Sequence, residues 1–171
     1  MDTRWKPSVT VAAIITSGEA ENREFLLVEE ETPEGIRLNN PAGHLEPGES
    51  PLEGCVREAL EETARLFMPQ ALLGIYLSRF VRPGQGGQAD EDITYLRLAF
   101  CGSVGEHLAG RSLDSGILRT VWMGPAQIRE CVARHRSPLL LRCMEDCLAG
   151  QRFPLNTLQT DASVYTPFAI K

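Results

Sequence analysis

Residues Gly43 to Arg65 read GHLEPGESPLEGCVREALEETAR, and this stretch decides the fold. Glu58, Glu61 and Glu62 recur at i, i+3 and i+4, a spacing that brings side chains onto one helical face. Ser50, Pro51, Leu52 and Glu53 supply a capping box with proline at the first helical position, so a helix is predicted to begin near Pro51. At about 100° per residue, Glu58, Glu61, Glu62 and Arg65 fall on one side. Leu52, Val56, Ala59, Leu60, Thr63 and Phe67 fall on the other. One face packs and the other is acidic. Carboxylates at i, i+4 repel by roughly 0.2 to 0.5 kcal/mol per pair in an isolated helix. Clustering three of them therefore requires a compensating cation, for which a divalent metal suffices, or generous solvation.

The rest of the chain sets bounds on that motif. With 171 residues and 43% hydrophobic composition, it suits a single domain spanning 1–171 with its own core. A formal net charge of −6 argues against a partner that is nucleic acid, because phosphate-backbone binders rely on a basic surface. No run approaches the roughly 18 apolar residues of a membrane span, and Met1-Asp2-Thr3-Arg4 lacks an apolar signal core after it. Cys55, Cys101, Cys131, Cys143 and Cys147 are odd in number and scattered without a Cys-x-x-Cys pair, which fits reduced thiols in the cytoplasm. Cys143 and Cys147 share a helical face and are read as ordinary core packing rather than as metal ligands.

Val9 to Thr16 and Glu24 to Glu31 read as strands, followed by a short strand over Ile36 to Asn39 that delivers the chain to Pro41-Ala42-Gly43. Leu72 to Val81 and Ile93 to Cys101 read as paired strands around a polar connection, Arg82 to Asp92, which contains Gly84, Gly86 and Gly87. Alternation along Ile93 to Phe100 puts Tyr95 and Arg97 on one face and Thr94, Leu96, Leu98 and Phe100 on the other. Arg97 then faces away from the core or into a cavity, as a structural ion pair or as a phosphate clamp. Ile117 to Met123 is a last strand. Helices follow from about Ala126 to Ala133 and over Leu139 to Leu148, the latter with Ser137-Pro138 at its start. Residues from about 156 to 171 read as a loosely ordered tail.

Gly43, then Glu49, then Arg57-Glu58-Ala59-Leu60-Glu61-Glu62 at these separations resembles the Nudix hydrolase signature. Further runs resemble the NudJ-type bacterial phosphatases of that family: Lys6-Pro7, Asn39-x-Pro41-Ala42-Gly43-His44-Leu45-Glu46, Ser137-Pro138-Leu139 and Gly150-Gln151-Arg152-Phe153-Pro154-Leu155. The resemblance implies an α/β (α+β) fold, an α/β/α sandwich with a mixed sheet and the acidic helix on one face. It implies a magnesium cofactor, with manganese as the alternative, held by Glu58, Glu61, Glu62 and the Gly43 carbonyl. Glu49 and Arg57 orient the loop and the helix, and Glu61 or Glu62 is the first choice of base, with Asp92 or Asp114 as runner-up. Arg97, Asn39, His44 and Lys6 are the candidate contacts to a small phosphorylated substrate, and the protein is expected to be a monomer or a homodimer.

Three positions depart from the pattern. Ala64 and Arg65 stand where the family usually has glycine and an aliphatic residue. Alanine extends helices where glycine ends them, so the helix is expected to run past Ala64 and to carry Arg65 on its acidic face. Leu38 stands where the subfamily often has tryptophan, so a base-stacking role passes to Tyr76 or Tyr95.

The resemblance implies hydrolysis of nucleoside tri- and diphosphates or of hydroxymethylpyrimidine pyrophosphate, by attack of an activated water on phosphorus. Hydrolysis of ADP-ribose or dinucleotides is the alternative, as is a nucleotide-sensing domain that binds without cleaving. A plain acidic amphipathic helix in an interaction protein gives the long Gly43 to Glu49 spacing no purpose.

Overall fold

The computed structural model describes residues 4–19, 22–82, 84 and 90–166. Seven strands make one mixed sheet. They are β1 (Ser8–Ser17), β2 (Glu24–Thr32), β3 (Gly35–Asn39), β4 (Ala42–His44), β5 (Arg65–Arg82), β6 (Glu91–His107) and β7 (Ile117–Met123). The path runs β3-β2-β1-β6-β5, with β4 added on β1 and β7 on β2. β1 and β6 run parallel, from Ser8 opposite Tyr95 to Ile15 opposite Gly102, and the other pairings are antiparallel.

Helices cover both faces, and the alternation of β1 explains why. Val11, Ala13 and Ile15 join Leu98, Phe100 and Phe67 in a cluster under α1 (Pro51–Thr63), to which the helix contributes Cys55 and Ala59. Ala12 and Ile14 point the other way. With Leu27, Leu38, Ala99 and Cys101 they pack against Ile128 of α2 (Pro125–Glu130) and Leu140, Cys143, Met144 and Cys147 of α3 (Pro138–Leu148). Cys143 and Cys147 are therefore core residues. The result is the helix-sheet-helix sandwich expected from the sequence.

Four local expectations need correction, and one short strand carries no sequence signal. α1 ends at Thr63, because Ala64 adopts the left-handed conformation at φ 51° and closes the helix with its N–H donating to the Leu60 carbonyl. Arg65 consequently leaves the acidic face, opens β5 and donates to the Gly105 carbonyl at 3.0 Å. β5 starts well before Leu72, and Pro69 lies within it. Proline is tolerated because β5 is an edge strand and the register shifts between Pro69 and Ala71. The helix expected to reach Ala133 stops at Glu130 and continues as a single 3-10 turn over Val132–Arg134. β4, only three residues long, is too short to show a strand pattern in the sequence and adds to the sheet through its pairing with β1.

Within the stretch read as a loose tail, Leu158 packs against the cluster under α1, as Leu155 does just ahead of it, and the Tyr165 hydroxyl donates to Glu53 at 2.9 Å. Gly86, Gly87 and residues 167–171 lie outside the described residues. Among the described residues, no helix is long and apolar enough to cross a membrane.

Candidate active site

The acidic helix starts where its capping box places it. The Ser50 hydroxyl accepts from the Glu53 N–H at 3.2 Å, and the Glu53 carboxylate accepts from the Ser50 N–H at 2.7 Å. A cap of this kind contributes about 1 kcal/mol. It fixes the phase of the helix, and so decides which turn delivers which glutamate.

Arg57 organises the acidic face. Its Nε and Nη2 donate to the two oxygens of Glu49 at 2.9 and 2.8 Å, a fork matched to a carboxylate. Its Nη1 reaches Glu58 at 2.8 Å and Glu61 at 3.0 Å, and Nη2 also donates to the His44 carbonyl at 3.0 Å. One guanidinium thus ties the loop before the helix, the helix and β4 together. The Arg57 bond holds the Glu49 carboxyl below the ordinary range, and these carboxylates keep Arg57 fully charged.

Glu58 lies directly over Gly43. A Cβ built on Gly43 would collide with the Glu58 carboxylate, so the glycine is required by the close approach of helix and strand. Glu62 reaches past the helix end to accept the Ala42 N–H at 2.8 Å. Burial pushes its carboxyl up to about 8, and the charges of Glu58, Glu30 and Asp114 push in the same direction. Burial also raises Glu58, against the pull of Arg57. Asp114 is fastened nearby, its N–H donating to the Glu61 carbonyl at 3.0 Å.

These acids suit a hard divalent cation. Glu58, Glu61 and Glu62 offer oxygen donors beside the Gly43 backbone, and the raised Glu58 and Glu62 carboxyls mark a place where positive charge would be stabilising. Among the described residues no three acidic, histidine or cysteine side chains are gathered into a ready metal cage. Arg57 and the Ala42 N–H hold the carboxylates instead, so a metal would compete with those bonds.

Next to Ala42 and Gly43 opens a cavity of about 410 Å³, within the range of small-molecule sites. Arg97, Asn39 and His44 line it, together with Thr10, Glu30 and Tyr95. Arg97 and Asn39 are buried, while His44 is exposed at the mouth with its ring tilted 49° to Tyr95 at a 6.3 Å centroid distance. Lys6 is exposed ahead of β1 and does not line the cavity. Tyr76 is also elsewhere, donating to Asp146 at 3.0 Å, so Tyr95 is the tyrosine on the cavity wall. Leu38 is fully buried in the core on the α3 side. Asp92 pairs with Arg79 through two 2.7 Å bonds on the exposed hairpin.

Thr10 and Glu30 carry no signal in the sequence that marks them as cavity residues. Both belong to runs of strand residues, and only the departure of the sheet into two pairings of β1, with β4 and with β2, brings them to one cavity.

The NUDIX domain family model matches residues 6–143. The chain belongs to the Nudix family. A curated Nudix relative, Phosphatase NudJ of Escherichia coli strain K12, is 32% identical over 154 residues, covering 90% of this chain and 92% of that protein. A solved NUDIX hydrolase from Nitrosomonas europaea is 47% identical with a TM-score of 0.76, over 91% of this chain and 98% of that one. The NUDIX domain of Shewanella oneidensis NrtR, solved with ADP ribose, shares the fold at 14% identity and a TM-score of 0.55, over 86% of this chain and 90% of that one. The chain is a Nudix hydrolase with the α+β fold of that family.

Proposed function

We propose that this Nudix hydrolase uses magnesium to cleave nucleoside tri- or diphosphates or hydroxymethylpyrimidine pyrophosphate, with Glu58, Glu61, Glu62 and the Gly43 carbonyl holding the metal. The observation that carries the reading is the acidic face of α1 pressed onto Gly43 at the edge of a cavity large enough for the rest of such a substrate. Bound there, a divalent cation supplies neutralisation of phosphoryl charge and acidifies the attacking water.

The chain's own residues do the remaining work. Glu61 or Glu62 takes the proton of the attacking water, and Glu62 fits that task because it reaches the Ala42 N–H beside the cavity. Arg57 and Glu49 do not touch substrate in this reading. They hold the helix, the Glu46 N–H and the His44 carbonyl in one arrangement, so that the acids are positioned before substrate arrives. Asn39 and Arg97 bind the part of the substrate that lies in the cavity, and His44 stands at its mouth. The five unbridged cysteines support placing the enzyme in a reducing, cytoplasmic compartment.

The test is a screen of nucleoside di- and triphosphates, hydroxymethylpyrimidine pyrophosphate, ADP-ribose and a dinucleotide, with and without Mg²⁺ or Mn²⁺. Orthophosphate, pyrophosphate and nucleoside monophosphate are measured separately. Magnesium-dependent orthophosphate release from the first two groups is expected. Turnover confined to ADP-ribose or the dinucleotide would replace this substrate class with the alternative one.

A further inference from the structure

Arg97 is a buried cation, 8% exposed, whose Nε and Nη1 have no hydrogen-bond partner among the described residues. Glu30 and Glu62 act on its charge without bonding to it. Three neighbours in the same cavity are in the same condition: Thr10 Oγ1, on a residue 6% exposed, Asn39 Oδ1, on a residue 8% exposed, and Glu30 Oε1. Buried polar atoms are ordinarily paired, so four such residues lining one cavity mark a place where a ligand completes the bonding.

Arg97 shares the strand parity of Ala99 and Cys101, which pack towards α3, whereas Leu98 and Phe100 pack towards α1. It therefore projects from the face of the sheet opposite the acidic helix. The strand pairings place it in one row with Thr10 and His44, with β1 lying between β6 and β4. Tyr95, two residues away on the same face, supplies an aromatic wall. A guanidinium so placed, on the opposite face of the sheet from the acidic helix and unbonded to its glutamates, beside an aromatic ring, is suited to the edge of a planar heterocycle.

We infer that Arg97 is a specificity residue that reads a ring edge bearing two adjacent acceptors, and that the cavity selects 6-oxopurine over 6-aminopurine nucleotides. Nη2 paired with either Nε or Nη1 makes a fork that matches O6 and N7 of such a ring, as when arginine reads guanine in nucleic acids. Asn39 Oδ1 is then free to accept the N1–H on the neighbouring edge. An adenine ring turns its 6-amino group towards the guanidinium, leaving donor against donor in a buried site. The inference deepens the proposed function and rests on it only in taking the cavity as the substrate's own.

The test is equilibrium binding of GMP, IMP and AMP to the full chain in the presence of a chelator, so that neither metal nor turnover is needed. GMP and IMP are expected to bind at least about tenfold more tightly than AMP. In Arg97→Met, which keeps the length and removes every donor, the three affinities converge, with AMP changed by no more than about twofold. Arg97→Gln, whose amide pairs with N6 and N7 of adenine, shifts the preference towards AMP and serves if the methionine variant does not fold. Equal affinities in the unaltered protein overturn the inference. So does equal weakening of all three ligands in the variants, which would make Arg97 a phosphate contact. Failure of the substrate screen would count against the proposed function while leaving this ratio readable.

Discussion

Arg57 holds Glu49 through two parallel bonds of 2.9 and 2.8 Å while its remaining nitrogen bridges Glu58 and Glu61. The pair is more than a surface ion pair, since one planar group bonds to a loop, the helix and a strand carbonyl at once, and we propose that it positions the acidic face. Lysine keeps the charge but cannot make the fork. Arg57→Lys is predicted to lower stability by about 2 kcal/mol, in the range for lost charged hydrogen bonds. It is predicted to lower kcat more than KM. Chemical denaturation and steady-state kinetics measure both, and an unaltered kcat would remove the positioning role.

Ala64 stores backbone strain where glycine would store none. A left-handed conformation costs an alanine about 1 to 2 kcal/mol, whereas losing its buried methyl costs about 0.8 kcal/mol. The two nearly cancel, so Ala64→Gly is predicted to stabilise the protein by no more than about 1 kcal/mol. Ala64→Val, adding β-branching at a fully buried left-handed site, is predicted to destabilise it by at least about 2 kcal/mol. Thermal melts of the two variants decide the matter, and a destabilised glycine variant would show that packing outweighs strain.

Glu62 links stability to pH. Its folded carboxyl is raised from an ordinary 4.5 to about 8, so between those values the folded chain holds a proton that the unfolded chain has released. Stability therefore falls as pH rises through that window. Metal that binds only the folded, ionised site reverses the trend at the upper end. Melting temperatures from about pH 5 to about pH 8 in chelator, repeated for Glu62→Gln, are predicted to fall for the unaltered protein and to flatten for the variant. Identical slopes would contradict the assignment.

Gly43 is the contact on which the acidic helix rests. Gly43→Ala forces the Glu58 carboxylate aside, since no side chain fits between the strand and the helix. The variant is predicted to fold with a small loss of stability and to lose at least about tenfold in metal affinity, the scale on which misplaced ligands and their supports act. Titration with Mn²⁺ monitored by paramagnetic relaxation reads the affinity directly, and an unchanged affinity would separate Gly43 from the metal.

The acidic helix is legible in the sequence because its signals are local. Ser50 and Glu53 fix the helix start within a single turn, and Glu58, Glu61 and Glu62 share a face by helical period alone. Propensity misleads at Ala64, where the turn into β5 overrides alanine's preference for helix. Thr10, Glu30 and Asn39 converge only through strand pairing over long sequence separations, which periodicity does not encode. Lys6 has the charge and the position ahead of a strand that a phosphate contact would want, yet it lies outside the cavity.

The acidic face of α1 is proposed as a metal-dependent hydrolytic site, and the activity predicted at Arg57 and Glu62 and the metal affinity predicted at Gly43 depend on that. Its most direct test is phosphate release by Glu62→Gln with saturating Mg²⁺, beside a circular-dichroism melt of the same sample. A loss of at least about a hundredfold in turnover is predicted with the fold intact. Unchanged turnover in a folded Glu62→Gln protein would contradict it.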